Sequence, residues 1–151
     1  MIKIEEIFEK ILKNKDKMIL YRGVTNECIS KYESNNKLHI PDEFKSWLKF
    51  SNGGELFVPG TILFGIECDV SPIDQKKTLR YANRSEIRKR MFSIPLSYLV
   101  VGKLNFGDFI CIDLNNENRV IQWDHENDEE YCYWNSFTEW LLECIDDIEV
   151  Y

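Results

Sequence analysis

The stretch from Ile40 to Gly54, Ile-Pro-Asp-Glu-Phe-Lys-Ser-Trp-Leu-Lys-Phe-Ser-Asn-Gly-Gly, constrains the fold more than any other. It spells a short helix with a marked start and stop that leads into a strand. Pro41 suits the first helical position, where its missing N–H is not needed and its φ is already helical. Ile40 before it is pushed toward extended geometry. Asp42 and Glu43 put negative charge in the first turn, where the helix dipole favours it. Phe44, Trp47, Leu48 and Ser51 recur at helical spacing and predict one bulky buried face. Asn52, Gly53 and Gly54 tolerate positive φ and end the helix. No part of the stretch asks for chemistry.

The flanking pattern predicts an α+β fold. Ile4, Ile7, Phe8, Ile11 and Leu12 mark an amphipathic helix over about 3–14. Thr25 is placed to cap a second, shorter helix that packs through Ile29 and Tyr32. After Gly54, residues 56–58 and 61–64 read as strands around Pro59-Gly60, and 67–75 as a loop. Residues 76–90 are strongly basic and predict a surface helix, with Arg80, Arg84 and Arg88 aligned on its outer face. Residues 99–102, 109–114 and 119–125 read as a three-strand meander, closed by an acidic turn over 126–130. Ser136 to Glu139 has capping-box spacing, and Phe137, Trp140, Leu141, Cys144, Ile145 and Ile148 continue a helical face. A central, mostly antiparallel sheet with N-terminal, middle and C-terminal helices is the expected architecture.

At 151 residues the chain is expected to form a single domain over 1–151. No run approaches a membrane span, and Met1 to Glu6 lacks an apolar signal core, so a cytoplasmic location is expected. Five cysteines without a C-x-x-C pair suggest neither a disulfide framework nor a zinc site; free thiols are expected. Charge is lopsided. Residues 1–104 hold 18 Lys+Arg against 13 Asp+Glu, whereas 105–151 hold Arg119 alone against 13 acids. Such an acidic third would repel phosphates, so it argues against nucleic acid and for a basic partner, or for solubility.

Ile40-Pro41-x-x-Phe44-x-x-Trp47-Leu48-x-x-x-Asn52-Gly53-Gly54 resembles the signature of the SUKH superfamily (Smi/Knr-type), bacterial immunity proteins and fungal cell-wall regulators. Three further pieces follow in the expected order. Gly107-Asp108-x-Ile110 is similar to the family's Gly-Asp strand. Val120-x-x-Trp123-Asp124-His125-Glu126 is similar to the strand after it, and Ser136-Phe137-x-x-Trp140-Leu141 to the closing helix. The resemblance implies a non-enzymatic protein, without cofactor or metal, that binds and neutralises a toxin domain such as a nuclease or deaminase. The alternative is an intracellular interaction scaffold in cell-wall or stress signalling. The basic 76–90 run and the acidic 126–130 turn depart from the family pattern at the surface, which bears on the partner and not on the fold.

Two groups compete as sites. Asp124-His125-Glu126 could hold a general base or a metal ligand, but no triad or H-E-x-x-H context surrounds it, and a structural role at a strand end is favoured. Asp124, His125, Glu126, Asp128, Glu129 and Glu130, with Glu139 and Glu143, form the candidate partner-binding surface. Tyr131, Tyr133 and Trp134 are its aromatic anchors, unless they belong to the core. Oligomeric state is left open.

Overall fold

A computed structural model of the chain describes residues 2–57, 60–68, 77–84, 88 and 93–146. Within them one antiparallel sheet runs in strict chain order. Its strands are β1 (Gly54–Leu56), β2 (Thr61–Leu63), β3 (Tyr98–Lys103), β4 (Phe109–Asp113), β5 (Arg119–Asp124) and β6 (Glu129–Trp134). The helices are α1 (Ile4–Lys13), α2 (Asn26–Asn36), α3 (Asp42–Phe50), α4 (Leu79–Asn83) and α5 (Phe137–Asp146). The class is α+β, as the pattern predicts. β4 is buried along its whole length, so the middle of the sheet is covered on both faces.

α3 sits at the centre of the helical layer because its aromatic face has somewhere to go. Phe44, Trp47 and Leu48 are fully buried. Phe44 meets Phe137 of α5 edge-on at 5.4 Å, and Phe8 of α1 stacks on Phe50 at 4.3 Å. Pro41 precedes the helix instead of starting it, with φ −58° and ψ 146° as the cap residue. The helix ends at Ser51, whose extended backbone leads to Gly53 and Gly54 at positive φ. Asn52 does more than terminate it. Its buried amide donates to the Ile66 carbonyl at 2.9 Å and accepts from the Ile66 N–H at 2.8 Å, as a strand neighbour would.

Three expectations are corrected. The basic segment does not form one surface helix: α4 stops at Asn83, and Arg84 is extended. The reason is Asn83, whose side chain donates to the Leu79 and Val100 carbonyls and accepts from the Val100 N–H, each at 2.8 Å. That amide ties the helix end to β3. Arg88 therefore leaves the outer face. It is buried, and its guanidinium donates to the carbonyls of Ile94, Pro95 and Leu96. Residues 76, 85–87 and 89–90 of the predicted helix lie outside the described residues.

The acidic run is not a turn ending at Glu130. The chain reverses over 125–128, and Glu129 and Glu130 open a further strand, β6, paired with β5 from Asp124↔Glu129 to Val120↔Trp134. Finally, not all thiols are free. Cys28, at the start of α2, and Cys68, shortly after β2, are disulfide-bonded, and Cys111, Cys132 and Cys144 remain free. The two partners lie 40 residues apart, so only the packing of α2 beside that segment brings them together. Val58, Pro59 and residues 69–75 of the predicted loop lie outside the described residues.

Candidate functional site

The β5–β6 hairpin gathers the acidic residues, and Asp108 holds its tip. Asp108 leads into β4 and is buried. One carboxylate oxygen accepts from the His125 backbone N–H at 3.1 Å and lies 2.5 Å from His125 Nδ1. The other accepts from Gln122 Nε2 at 2.8 Å. Burial raises the Asp108 pKa, but the bonds from His125 and Gln122 outweigh it and hold the carboxyl below its ordinary value. Gly107 makes the arrangement possible. Its φ is +112°, and a Cβ there would stand 2.9 Å from the His125 ring. The Gly-Asp pair and the Asp-His pair are thus two halves of one clasp.

The turn itself is built by carboxylates. Asp124 accepts from the Glu126 N–H at 2.9 Å and from the Asn127 side chain at 2.9 Å. The bond from Asn127 is the chief cause of its lowered pKa. Asp128, at φ 54°, accepts from the Ser93 hydroxyl at 2.6 Å, the Ser93 N–H at 2.8 Å and the Trp123 indole at 3.0 Å. Its pKa is lowered too, by the Ser93 hydroxyl first. Ser93 is 35 residues away, and nothing in its local sequence marks it as a partner.

The remaining acids divide into bracing and unengaged groups. Glu130 accepts from the Tyr98 hydroxyl and from Arg119 Nη2 at 3.3 Å. Burial and Glu130 together push the Tyr98 hydroxyl up to about 12. Glu143 accepts from the Trp134 indole at 2.5 Å, and Glu139 from the Asn135 N–H at 3.1 Å. Ser136 in turn accepts from the Glu139 N–H at 3.1 Å, one half of the expected capping box, while the Glu139 carboxylate reaches the N–H one residue further back. Glu126 and Glu129 are exposed, and their carboxylates bond no other described residue.

Tyr131 and Tyr133 are surface residues, 69% and 58% exposed. The Arg119 guanidinium lies 5.2 Å from the centre of the Tyr133 ring and is also held by Asp113 at 3.4 Å. The only base among residues 105–151 is thereby neutralised by its neighbours, leaving the hairpin's field negative. Tyr98 and Ser93 could not be read from the sequence, because each joins the hairpin only through tertiary contact.

The ligand atoms of Asp108, Asp124 and His125 lie within 4.8 Å of one another, close enough to hold a cation. Each carboxylate there already accepts N–H groups of the chain, and His125 Nδ1 faces Asp108. A metal would have to break the clasp that forms the turn. His125 is oriented by Asp108 as in a general-base pair, but no serine, threonine or cysteine among the described residues hydrogen-bonds its ring. Elsewhere, a cleft of about 410 Å³ lined by Cys28, Lys31, Tyr32, Glu67, Cys68 and Arg80 mixes both signs of charge.

What the hairpin offers is an acidic surface that also bears exposed aromatic residues. A comparison with known families matches residues 23–143 to the SMI1 / KNR4 family (SUKH-1), a span from before α2 into α5 that takes in the whole sheet. The chain belongs to the SMI1 / KNR4 family.

Proposed function

We propose that this protein is a non-enzymatic immunity protein that binds the toxin domain of a bacterial polymorphic toxin system and neutralises it in the cytoplasm. One observation carries the reading. The β5–β6 hairpin presents Glu126 and Glu129 unengaged, with Tyr131 and Tyr133 exposed beside them. Carboxylates clustered on one surface steer a basic partner and raise its on-rate, while exposed tyrosines supply anchoring area with little entropy to lose. Toxins that act on nucleic acid carry basic substrate grooves. An acidic hairpin seated over such a groove excludes the substrate by charge and by bulk. Membership of the SMI1 / KNR4 family supports the reading. No helix of the described residues is long and apolar enough to cross a membrane.

The test is capture of a toxin domain from the native host, followed by affinity measurement at low and high salt. The double substitution Glu126→Lys with Glu129→Lys is expected to weaken binding at least about ten-fold at low salt, and less at high salt. Glu130 is the wrong residue to reverse, since it braces Tyr98 and Arg119. Unchanged affinity at both salt concentrations would show that the hairpin is not the docking surface.

A further inference from the structure

The two edges of the sheet are treated differently. On β1, the outer side is closed by Ile19, whose N–H donates to the Glu55 carbonyl and whose carbonyl accepts the Glu55 N–H, each at 2.8 Å. On β6, no backbone hydrogen bond from the described residues reaches the outer side. Among the described residues, none pairs with the outward N–H and C=O groups of this six-residue strand. It carries no proline or lysine, and its guards are the charges of Glu129 and Glu130 and the register shift against β5.

We propose that β6 is a strand-addition site for an extended basic segment of the partner, so that recognition runs through the main chain as well as through charge. This rests on the immunity reading and specifies how the partner is held. Charge decides the occupant. A second copy pairing edge to edge in the symmetric, antiparallel sense would set Glu129 and Glu130 against Trp134 and Tyr133, with no opposite charge to meet them. A lysine- or arginine-bearing strand supplies that charge. The register of β5 and β6 shifts between Gln122 and Trp123, leaving Tyr131 without an opposite residue. Cys132 to Trp134 are the regularly paired stretch and set the frame for the incoming strand. Tyr133 has Arg119 over its ring from the β5 side. An added strand would lie along the opposite side of that ring, where a second cation can contact it. Main-chain bonds then supply affinity, while alternate side chains supply specificity.

The test uses the full chain and a synthetic peptide of about ten residues alternating lysine and threonine, long enough to span β6. A second peptide of the same sequence has every backbone nitrogen methylated, which keeps charge and side chains but removes the pairing donors. The unmethylated peptide is expected to bind at least about ten-fold more tightly, the worth of one or two backbone hydrogen bonds. Its binding should also slow hydrogen exchange at alternate amides of 129–134 by a similar factor. Equal affinity for the two peptides, with no amide protected, overturns strand addition but leaves the acidic surface as the docking site. If neither peptide is sensitive to Glu126→Lys with Glu129→Lys, or neither binds, the immunity reading of this surface falls with it. Protection of β6 amides that rises with the protein's own concentration, without peptide, assigns the edge to a second copy and overturns the proposal.

Discussion

Glu43 of α3 caps α5 from 95 residues away: one carboxylate oxygen accepts the Thr138 hydroxyl at 2.7 Å. The other accepts the Phe137 and Thr138 N–H groups at 3.0 and 3.3 Å. A residue that local chemistry places in the first turn of its own helix thus satisfies the orphan donors of another. Glu43→Ala is expected to lower stability by about 1–3 kcal/mol, since three donors lose their acceptor. Glu43→Gln should recover part of that. Urea unfolding checks both, and an alanine variant as stable as the parent would show that the cap adds nothing.

At Gly107 two demands coincide, a positive φ and the His125 ring at 2.9 Å from where a Cβ would stand. Gly107→Ala should cost about 1–3 kcal/mol from backbone strain and crowding together. Adding His125→Ala removes the crowding and leaves the strain. The double variant should therefore fall short of the sum of the two singles in a double-mutant cycle. Simple additivity would mean that the ring moves aside freely.

Acid should loosen the hairpin before it loosens the core. Asp108, Asp124 and Asp128 are all held below the ordinary carboxyl value in the folded chain. As pH falls, the unfolded chain takes up protons first. Stability that is complete above about pH 4 is then lost as pH drops through the folded values. Asp108→Asn removes one titrating group and keeps an acceptor for His125, while its amide NH2 meets Gln122, which must turn its own oxygen inward. Its stability should depend less steeply on pH between about 4 and 2. Unfolding midpoints across that range measure the slope, and identical slopes would exclude Asp108 as a contributor.

The bond between Cys28 and Cys68 bears on where the protein can work. Disulfides last in oxidising compartments, whereas the proposed function is cytoplasmic. Reduction is expected to cost about 2–4 kcal/mol by freeing the unfolded chain, without unfolding a core of this extent. Thiol titration of the denatured protein should give three free thiols when oxidised and five when reduced. Circular dichroism in reductant then tests the fold, and collapse there would rule out a cytoplasmic role.

Much was legible beforehand because it depends on neighbours in sequence. The aromatic spacing of Phe44, Trp47 and Leu48 predicts a buried helical face, and that face is buried. Thr25 caps α2 by accepting the Cys28 N–H at 3.2 Å, as its position suggests. The alternating strands and their polar turns predict the meander from β3 to β5. The acidic composition of the last third needed no coordinates at all.

What the sequence by itself determined are the periodicities, the caps and the charge, all of which act within a few residues of chain. Tertiary structure alone decided which polar groups would be consumed in holding the fold. It turned Arg88 inward, ended α4 at Asn83, paired Glu43 with a distant helix and set Asp128 on Ser93. It also separated the acids that build the hairpin from Glu126 and Glu129, whose carboxylates bond no other described residue. A buried hydrogen-bond donor or acceptor takes whichever partner packing delivers to it, and that partner is rarely written nearby in the chain.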